Sequence, residues 1–398
     1  MKQPFLSATP IIEAIENAGF TAYFVGGAVR DYLLKKPIHD IDIATSATPA
    51  EVKNIFHTTV DIGIEHGTVM VIHENETYEV TTFRTESEYE DFRRPKDVEF
   101  VRNLREDLQR RDFTMNSLAM DKNGTIIDYF DGKTALANKM IETVGSADER
   151  FTEDALRMMR AIRFVSTIGF KLEDKTRIAI EGNRHLLEKI AVERITAEFE
   201  KLLLGKARDE AILLMVQLKI FEHLPMLTSH RDGLMHMASF SLENLNIEEM
   251  WSALLIACNV SAKEADAFLR KWKLPVKRIK TVQHIIKSVL ERKNQGCWTR
   301  LHLYHSGLNI AISAEKVFSV ITAKQQDIVS VRDGFAALPI KGRDELQVTG
   351  RDLLEWSIKP AGPWMKETIA AIENAVVEKK LTNDKQAIKE WLKQWEMI

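Results

Sequence analysis

FVGGAVRDYLLKKPIHDIDIAT, residues 24–45, carries the pattern that decides the fold of the first part of the chain. An apolar run ends at Gly26-Gly27, a short helical stretch AVRDYLLKK (28–36) follows, and IHDIDIAT (38–45) alternates apolar and acidic residues with the period of a strand. Strand, glycine turn, helix and strand in that order read as α/β or α+β. Alternate side chains of a strand share a face, so Asp40 and Asp42 are expected to project together while Ile41 and Ile43 point into a core. Two converging carboxylates repel unless a cation sits between them, and hard divalent cations such as Mg2+ bind carboxylate oxygens together with substrate phosphates. A bare Asp-x-Asp is also how a solvated strand end reads. The upstream turn adds weight to the metal reading: Gly26 and Gly27 leave bare backbone at a helix start, where phosphate approaches closely, with Arg30 in the first turn. The same glycines would also serve a plain tight turn.

Working outward, Ser7 or Thr9 is expected to cap a helix over Pro10–Ala18 ended by Gly19, and FTAYFV (20–25) to form a strand. Thr48-Pro49 opens another helix, and TVMVIH (68–73) pairs with TYEVTTFR (77–84) in a hairpin turned at residues 74–76. Glu79 on that hairpin is a third carboxylate that can face the aspartate pair or solvent. Residues 85–98, TESEYEDFRRPKDV, hold five acidic and three basic side chains with neither a strand nor a helix period, and read as a mobile loop. Such a loop is expected to gate the site, with Tyr89, Arg93 and Arg94 swinging against a following helix. Beyond residue 148 helical periodicity dominates. The division expected is a catalytic head 1–146, a helical neck 147–205, a helical body 206–315 and a helical tail 316–398.

Composition excludes several classes. A net charge of −3 over 398 residues offers no global attraction to a polyanion, so any such contact must be local. Cys258 and Cys297 are too few and too far apart for a disulfide framework or zinc site, which fits a reducing cytoplasm. No apolar run is long enough for a membrane span. Between Asp266 and Arg300 there are ten Lys or Arg and two acidic residues, with Trp272, His284 and Trp298 interspersed, the local basic patch that the global charge hides. A solvated amphipathic helix pair would read the same way.

TEDALRMMRAIRF (152–164) is the most informative helix. With Thr152 as its expected N-cap, Ala155, Met158, Met159, Ile162 and Val165 gather on one face, leaving Asp154, Arg157, Arg160 and Arg163 on the other. Side by side before a base, a carboxylate accepts from an amino group and a guanidinium donates to ring and carbonyl acceptors. Cytosine and adenine offer that order; guanine and uracil reverse it. Arg160 and Arg163 are then expected to reach phosphates or brace the pair. The bland reading is a solvated basic helix.

GGAVRD, HDIDIAT, RRDFTMNSLAM (110–120), DYFDG (128–132), TEDALRMMRAIRF and ERITAEFEKLL (193–203) together resemble the bacterial-type tRNA nucleotidyltransferases, the class II CCA-adding enzymes. VTGRDLL and PAGPWM extend the similarity toward the C-terminus. The resemblance implies an α+β chain with a polymerase-beta-like head, metal on Asp40 and Asp42, and nucleotide contacts from Gly27, Arg30, Arg111 and Asp112. It implies tRNA as partner, CTP and ATP as substrates, and Mg2+ as cofactor. Bacterial poly(A) polymerases and enzymes that add only CC or only A share these motifs; a non-catalytic RNA-binding module is the rival of another class. The oligomeric state is left open, a homodimer being one reading.

Overall fold

The structure, a computed structural model, describes residues 2–38, 40–86, 89, 90, 94, 95, 98–241 and 244–395. The chain forms two compact units, Met1–Arg231 and Asp232–Ile398. The first begins with α1 (Phe5–Asn17), β1 (Ala22–Val25), α2 (Gly27–Leu33), β2 (Asp42–Thr45) and α3 (Pro49–Ile55). Then come β3 (Thr59–Gly63), β4 (Thr68–His73), β5 (Glu76–Thr82), β6 (Arg84–Glu86), β7 (Tyr89–Glu90), β8 (Arg94–Pro95) and β9 (Val98–Phe100). α4 (Leu104–Gln109), β10 (Leu118–Met120), β11 (Ile126–Asp128), α5 (Gly132–Asn138) and β12 (Met140–Ile141) follow. The helical part of this unit contains α6 (Ala147–Glu153), α7 (Leu156–Ile168), β13 (Lys171–Leu172), α8 (Asp174–Asn183), α9 (Val192–Leu203) and α10 (Arg208–Gln217).

Seven strands form one mixed sheet in the order β11-β10-β1-β2-β5-β4-β3, parallel only between β2 and β5. One row crosses it: Ala119, Val25, Asp42, Glu79, Met70 and Val60 are successive cross-strand partners. Partners in register share a face, so Glu79 stands beside Asp42. The neighbouring residues Ile43, Val80 and Val69 are buried on the opposite face. The β4–β5 hairpin forms as expected, its two-residue turn at Glu74-Asn75 with positive φ at both positions, the twist that suits a tight hairpin.

Four expectations are corrected. The first helix starts at Phe5, and Pro10 lies inside it; burial of Phe5 and Ala8 with Ile11, Ile12 and Ile15 outweighs the missing N–H of proline. Ser7 and Thr9 do not cap it: their hydroxyls donate to Gln3 Oε1 and to the Phe5 carbonyl. The strand read over 38–45 begins only at Asp42, so Asp40 precedes it. Thr152 lies within α6, where its hydroxyl turns back to the carbonyls of Asp148 and Glu149, and Ser146 caps that helix through the Glu149 N–H. The chain breaks at Asp154, whose Oδ1 accepts the Leu156 N–H at 3.1 Å at the start of α7.

Residues 85–98 also differ from the loop reading. β6 pairs with β9 and β7 with β8, so the described backbone forms antiparallel ladders. Arg93 lies outside the described residues, as do the side chains of Tyr89 and Arg94, and with them the expected gating movement.

Helices α11 (Arg231–Ala238), α12 (Ile247–Ala257), α13 (Ala265–Lys271), α14 (Val276–Gln295), α15 (Arg300–Ser306) and α16 (Leu308–Thr322) lead into the second unit. It ends with α17 (Ile328–Ala336), α18 (Gly350–Trp356), α19 (Trp364–Val377) and α20 (Lys385–Gln394). Trp251 and Trp272, both fully buried, meet edge to face at 5.1 Å. One apolar cluster runs from Leu303 and Ala311 to Ile388 and Leu392. The expected boundary at 315/316 lies within α16.

Candidate active site

A cavity of about 780 Å3 opens in the first unit, and its wall gathers residues far apart in sequence. Gly26, Gly27 and Arg30 come from the start of α2, Asp42 from β2, Arg110, Arg111 and Asp112 from the residues just after α4, Asp154 from the break before α7, Arg157, Arg160, Arg163 and Phe164 from α7, and Arg194 from α9. Eight arginines and three aspartates line it, so the field inside suits a polyphosphate.

Gly26 has φ of +69°, and a β-carbon there would come within 3.2 Å of Arg111 Nη1 and 3.6 Å of Asp42 Oδ2. Glycine therefore lets the turn, the Arg111 guanidinium and the Asp42 carboxylate crowd one point. Arg111 is braced by Asp107, its Nη2 donating to Oδ2 at 3.1 Å, while its buried Nε has no hydrogen-bond partner. Arg30 is held by Asp31 and donates to Asn116 Oδ1 at 2.7 Å.

Asp42 has an exposed carboxylate inside this cleft, and Asp40 and Glu79 stand beside it without entering the cavity wall. Crowding by protein raises the Asp42 pKa, Asp40 raises it further, and Arg111 opposes both. Glu79 is raised by burial, then by Asp42 and Asp40. Carboxyls that repel one another in this way are where a cation lowers the energy most. Among the described residues no cluster of three or more His, Cys, Asp or Glu side chains forms a closed metal site. Carboxylate oxygens are the donors that a hard cation takes, together with substrate oxygens.

The arginines of α7 are not a solvated face. Arg157 is buried; its Nη1 donates to Glu153 Oε2 at 2.7 Å and to the Arg150 carbonyl, and its Nη2 to the Arg110 carbonyl at 2.9 Å. Asp154 is gripped by Arg194, whose two terminal nitrogens donate to Oδ2 and Oδ1 at 2.8 and 3.3 Å. Asp154 and Arg157 therefore line one wall, each held by a partner of its own. Arg163 donates to Glu198 Oε2 at 2.5 Å and lies over the Phe164 ring, its guanidinium carbon 3.8 Å from the centroid. Burial lowers the Arg163 pKa although Glu198 opposes it.

Asp112 is a bracket. Its Oδ1 accepts from the Phe113 N–H and from Asn116, and its Oδ2 from Arg160 Nε at 2.8 Å. Burial alone would raise its pKa; Arg160 and the hydrogen bonds prevail and lower it to about 2.

Each residue expected to bind metal or nucleotide lies in the cavity wall or, for Asp40 and Glu79, beside it. Asp107, Asn116, Glu153, Arg194 and Glu198 were not picked. Arg194 and Glu198 lie four apart in ERITAEFEKLL, a spacing that puts them on one helix face, but nothing local says which helix that face meets. The basic run 266–300 divides differently. Lys273, Lys277, Lys280 and Lys287 are exposed, whereas Arg278 and Arg292 pair with Glu248 and Glu315. Trp272 is core, and Trp298 donates to Glu315 and stacks on His302, so both tryptophans of this run are engaged in packing.

Comparison with known families matches residues 22–142 to the poly A polymerase head domain, 169–230 to the probable RNA and SrmB-binding site of polymerase A, and 242–392 to tRNA nucleotidyltransferase domain 2. A CCA-adding enzyme of Bacillus cytotoxicus is 47% identical over 99% of both chains, and one of Bacillus cereus is 48% identical with the same coverage. The crystal structure of the Bacillus stearothermophilus CCA-adding enzyme in complex with CTP superposes with a TM-score of 0.94 at 46% identity, covering 100% of this chain and 98% of that one.

Proposed function

The chain belongs to the CCA-adding tRNA nucleotidyltransferases, and on that footing we propose that the arginine-lined cavity of its first unit is where C, C and A are joined to the 3′ end of tRNA. The observation that carries this reading is the placing of Asp42, the Gly26–Arg111 corner and the Asp154/Arg157 wall on one cavity. CTP and ATP are the nucleotide donors, pyrophosphate is released, and no nucleic-acid template is used. Head 1–146 and neck 147–205 divide the work in this scheme, the body and tail beyond them meeting the tRNA, and the setting is the cytoplasm.

Enzymes of this family work with a divalent metal. In our reading Asp40 and Asp42 hold Mg2+, with Glu79 alongside; when bound, the ion offsets charge on the attacking and leaving oxygens. The protein's own groups do the rest. The bare backbone of Gly26–Gly27 and the Arg111 guanidinium receive the triphosphate, Asp107 holding that guanidinium in place. Asp154 accepts the exocyclic amino group of cytosine or adenine, and the N–H groups that Arg157 has left donate to the neighbouring acceptors. Guanine or uracil would set acceptor against carboxylate and donor against guanidinium, and each mismatch costs about 1–3 kcal/mol. Arg194 and Glu153 keep that pair in position. Arg30, Arg160 and Arg163 line the remaining wall as phosphate contacts or braces, with Asp112 holding Arg160. The 3′-hydroxyl of the tRNA then gives up its proton to solvent, and its oxygen bonds to the α-phosphorus as the bond to pyrophosphate breaks.

The test is Asp40→Ala and Asp42→Ala, assayed with tRNA lacking its CCA end and each labelled nucleoside triphosphate singly. Both variants should lose transfer of CMP and AMP alike while unfolding at the wild-type temperature. Activity above a few per cent in Mg2+ would refute the assignment.

A further inference from the structure

The row that carries the catalytic carboxylates continues past them. From the Val25–Gly26 corner it runs through Asp42 and Glu79 to Met70 and then Val60 on the edge strand β3. Met70 is half-buried, Val60 is 46% exposed, and Ile72, two residues along the same face of β4 from Met70, is 36% exposed. On the opposite face the matching positions Val69, Val71 and Val80 are fully buried. The open face therefore presents a charged half and, next to it, an apolar half. Neighbouring strands lie about 4.8 Å apart, so this apolar floor begins within roughly 10 Å of Asp42.

In nucleotidyl transfer the attacking oxygen and the leaving pyrophosphate lie in line on opposite sides of the α-phosphorus. With the triphosphate tail at Gly26 and Arg111, on the β1 side of Asp42, the attacking hydroxyl has to come from the other side, which is the side of β5, β4 and β3. We infer that the 3′-terminal nucleoside of the RNA primer rests on Met70 and Val60, flanked by Ile72, with its 3′-hydroxyl over the Asp42–Glu79 pair. This inference rests on the proposed function. The chemistry of the floor suits its occupant: the end being extended changes base after every addition, and an apolar surface supports any base face without reading its hydrogen-bonding edge.

The experiment uses the full chain and compares Val60→Glu and Met70→Ser with wild type in CMP addition to tRNA lacking CCA. Either change should raise KM for the RNA about tenfold, within the range of one lost base contact, and leave KM for CTP unchanged. Ile64→Ser, an equally exposed apolar position near α3, is the control and should leave activity unaltered. A primer whose terminal nucleotide is abasic should abolish the penalty of Met70→Ser. An unchanged KM for RNA in both variants, or the same penalty with the abasic primer, overturns the inference. Because Val60 is exposed, Val60→Glu keeps the test valid should Met70→Ser be unstable. If Asp42→Ala is inactive while Val60 and Met70 variants behave as wild type, only the floor is wrong. If Asp42→Ala is active, the proposed function itself is wrong.

Discussion

Two basic runs look alike in the sequence and are opposites in the structure. Along α7 and α9, Arg157, Arg160, Arg163 and Arg194 are each tied to a carboxylate, and Arg157 to backbone carbonyls as well. Just before α14 and along it, Lys273, Lys277, Lys280 and Lys287 extend into solvent, with the apolar side of α14, from Ile279 to Val289, turned inward. The difference separates two uses of positive charge. A guanidinium locked by its own carboxylate presents its remaining N–H groups in a fixed direction and can tell one base edge from another. An exposed ammonium moves freely and is screened by salt, so it attracts any phosphate backbone without reading it.

Breaking a locked pair should have the largest effect. Asp154→Ala removes the acceptor proposed for the amino group and frees Arg194, so incorporation of UTP and GTP relative to CTP and ATP should rise roughly ten- to a hundredfold. Binding of tRNA should stay near the wild-type value. Single-nucleotide incorporation with each triphosphate measures this, and wild-type ratios would mean that the base is read elsewhere. Arg194→Ala should act in the same direction and more weakly, since it loosens Asp154 without removing it.

Next in size is the acid response of the bracket that holds Arg160. Asp112 has a folded pKa of about 2, below the ordinary aspartate value. A depressed carboxyl contributes stability above its unfolded pKa and loses it as pH falls through the folded one. Asp112→Asn should therefore be less stable than wild type by about 2 kcal/mol near neutrality. The gap should close between about pH 4 and pH 2. Thermal unfolding of both proteins across that range checks the sign; a gap that widens in acid would contradict it.

The smallest effects belong to the exposed lysines. Each of Lys273→Ala, Lys277→Ala, Lys280→Ala and Lys287→Ala should weaken tRNA binding only a few-fold and leave base selection untouched. The dependence of log K on log salt should become shallower by about one for every phosphate contact removed. A lysine whose loss changed which nucleotide is added would erase the distinction between the two runs.

Asp40 and Asp42, the glycine turn, the β4–β5 hairpin, and the polar and apolar sides of α7 were all legible in the sequence, because each is a matter of spacing within a few residues. What spacing cannot encode is the partner brought in from elsewhere. Whether Glu79 faced the aspartates or solvent was open until the parallel pairing of β2 with β5 set it beside Asp42. Thr152 looked like a cap, but Ser146 had already started the helix and the true break came at Asp154. Trp272 looked available to RNA and is core, because Trp251 lies against it. By itself the sequence determined which residues the candidate site is built from. The tertiary structure alone decided which of their charges are neutralised, since Asp112 meets Arg160 and Asp154 meets Arg194 across 48 and 40 residues of chain. Such pairs are set by the packing of whole helices, and only a structure shows it.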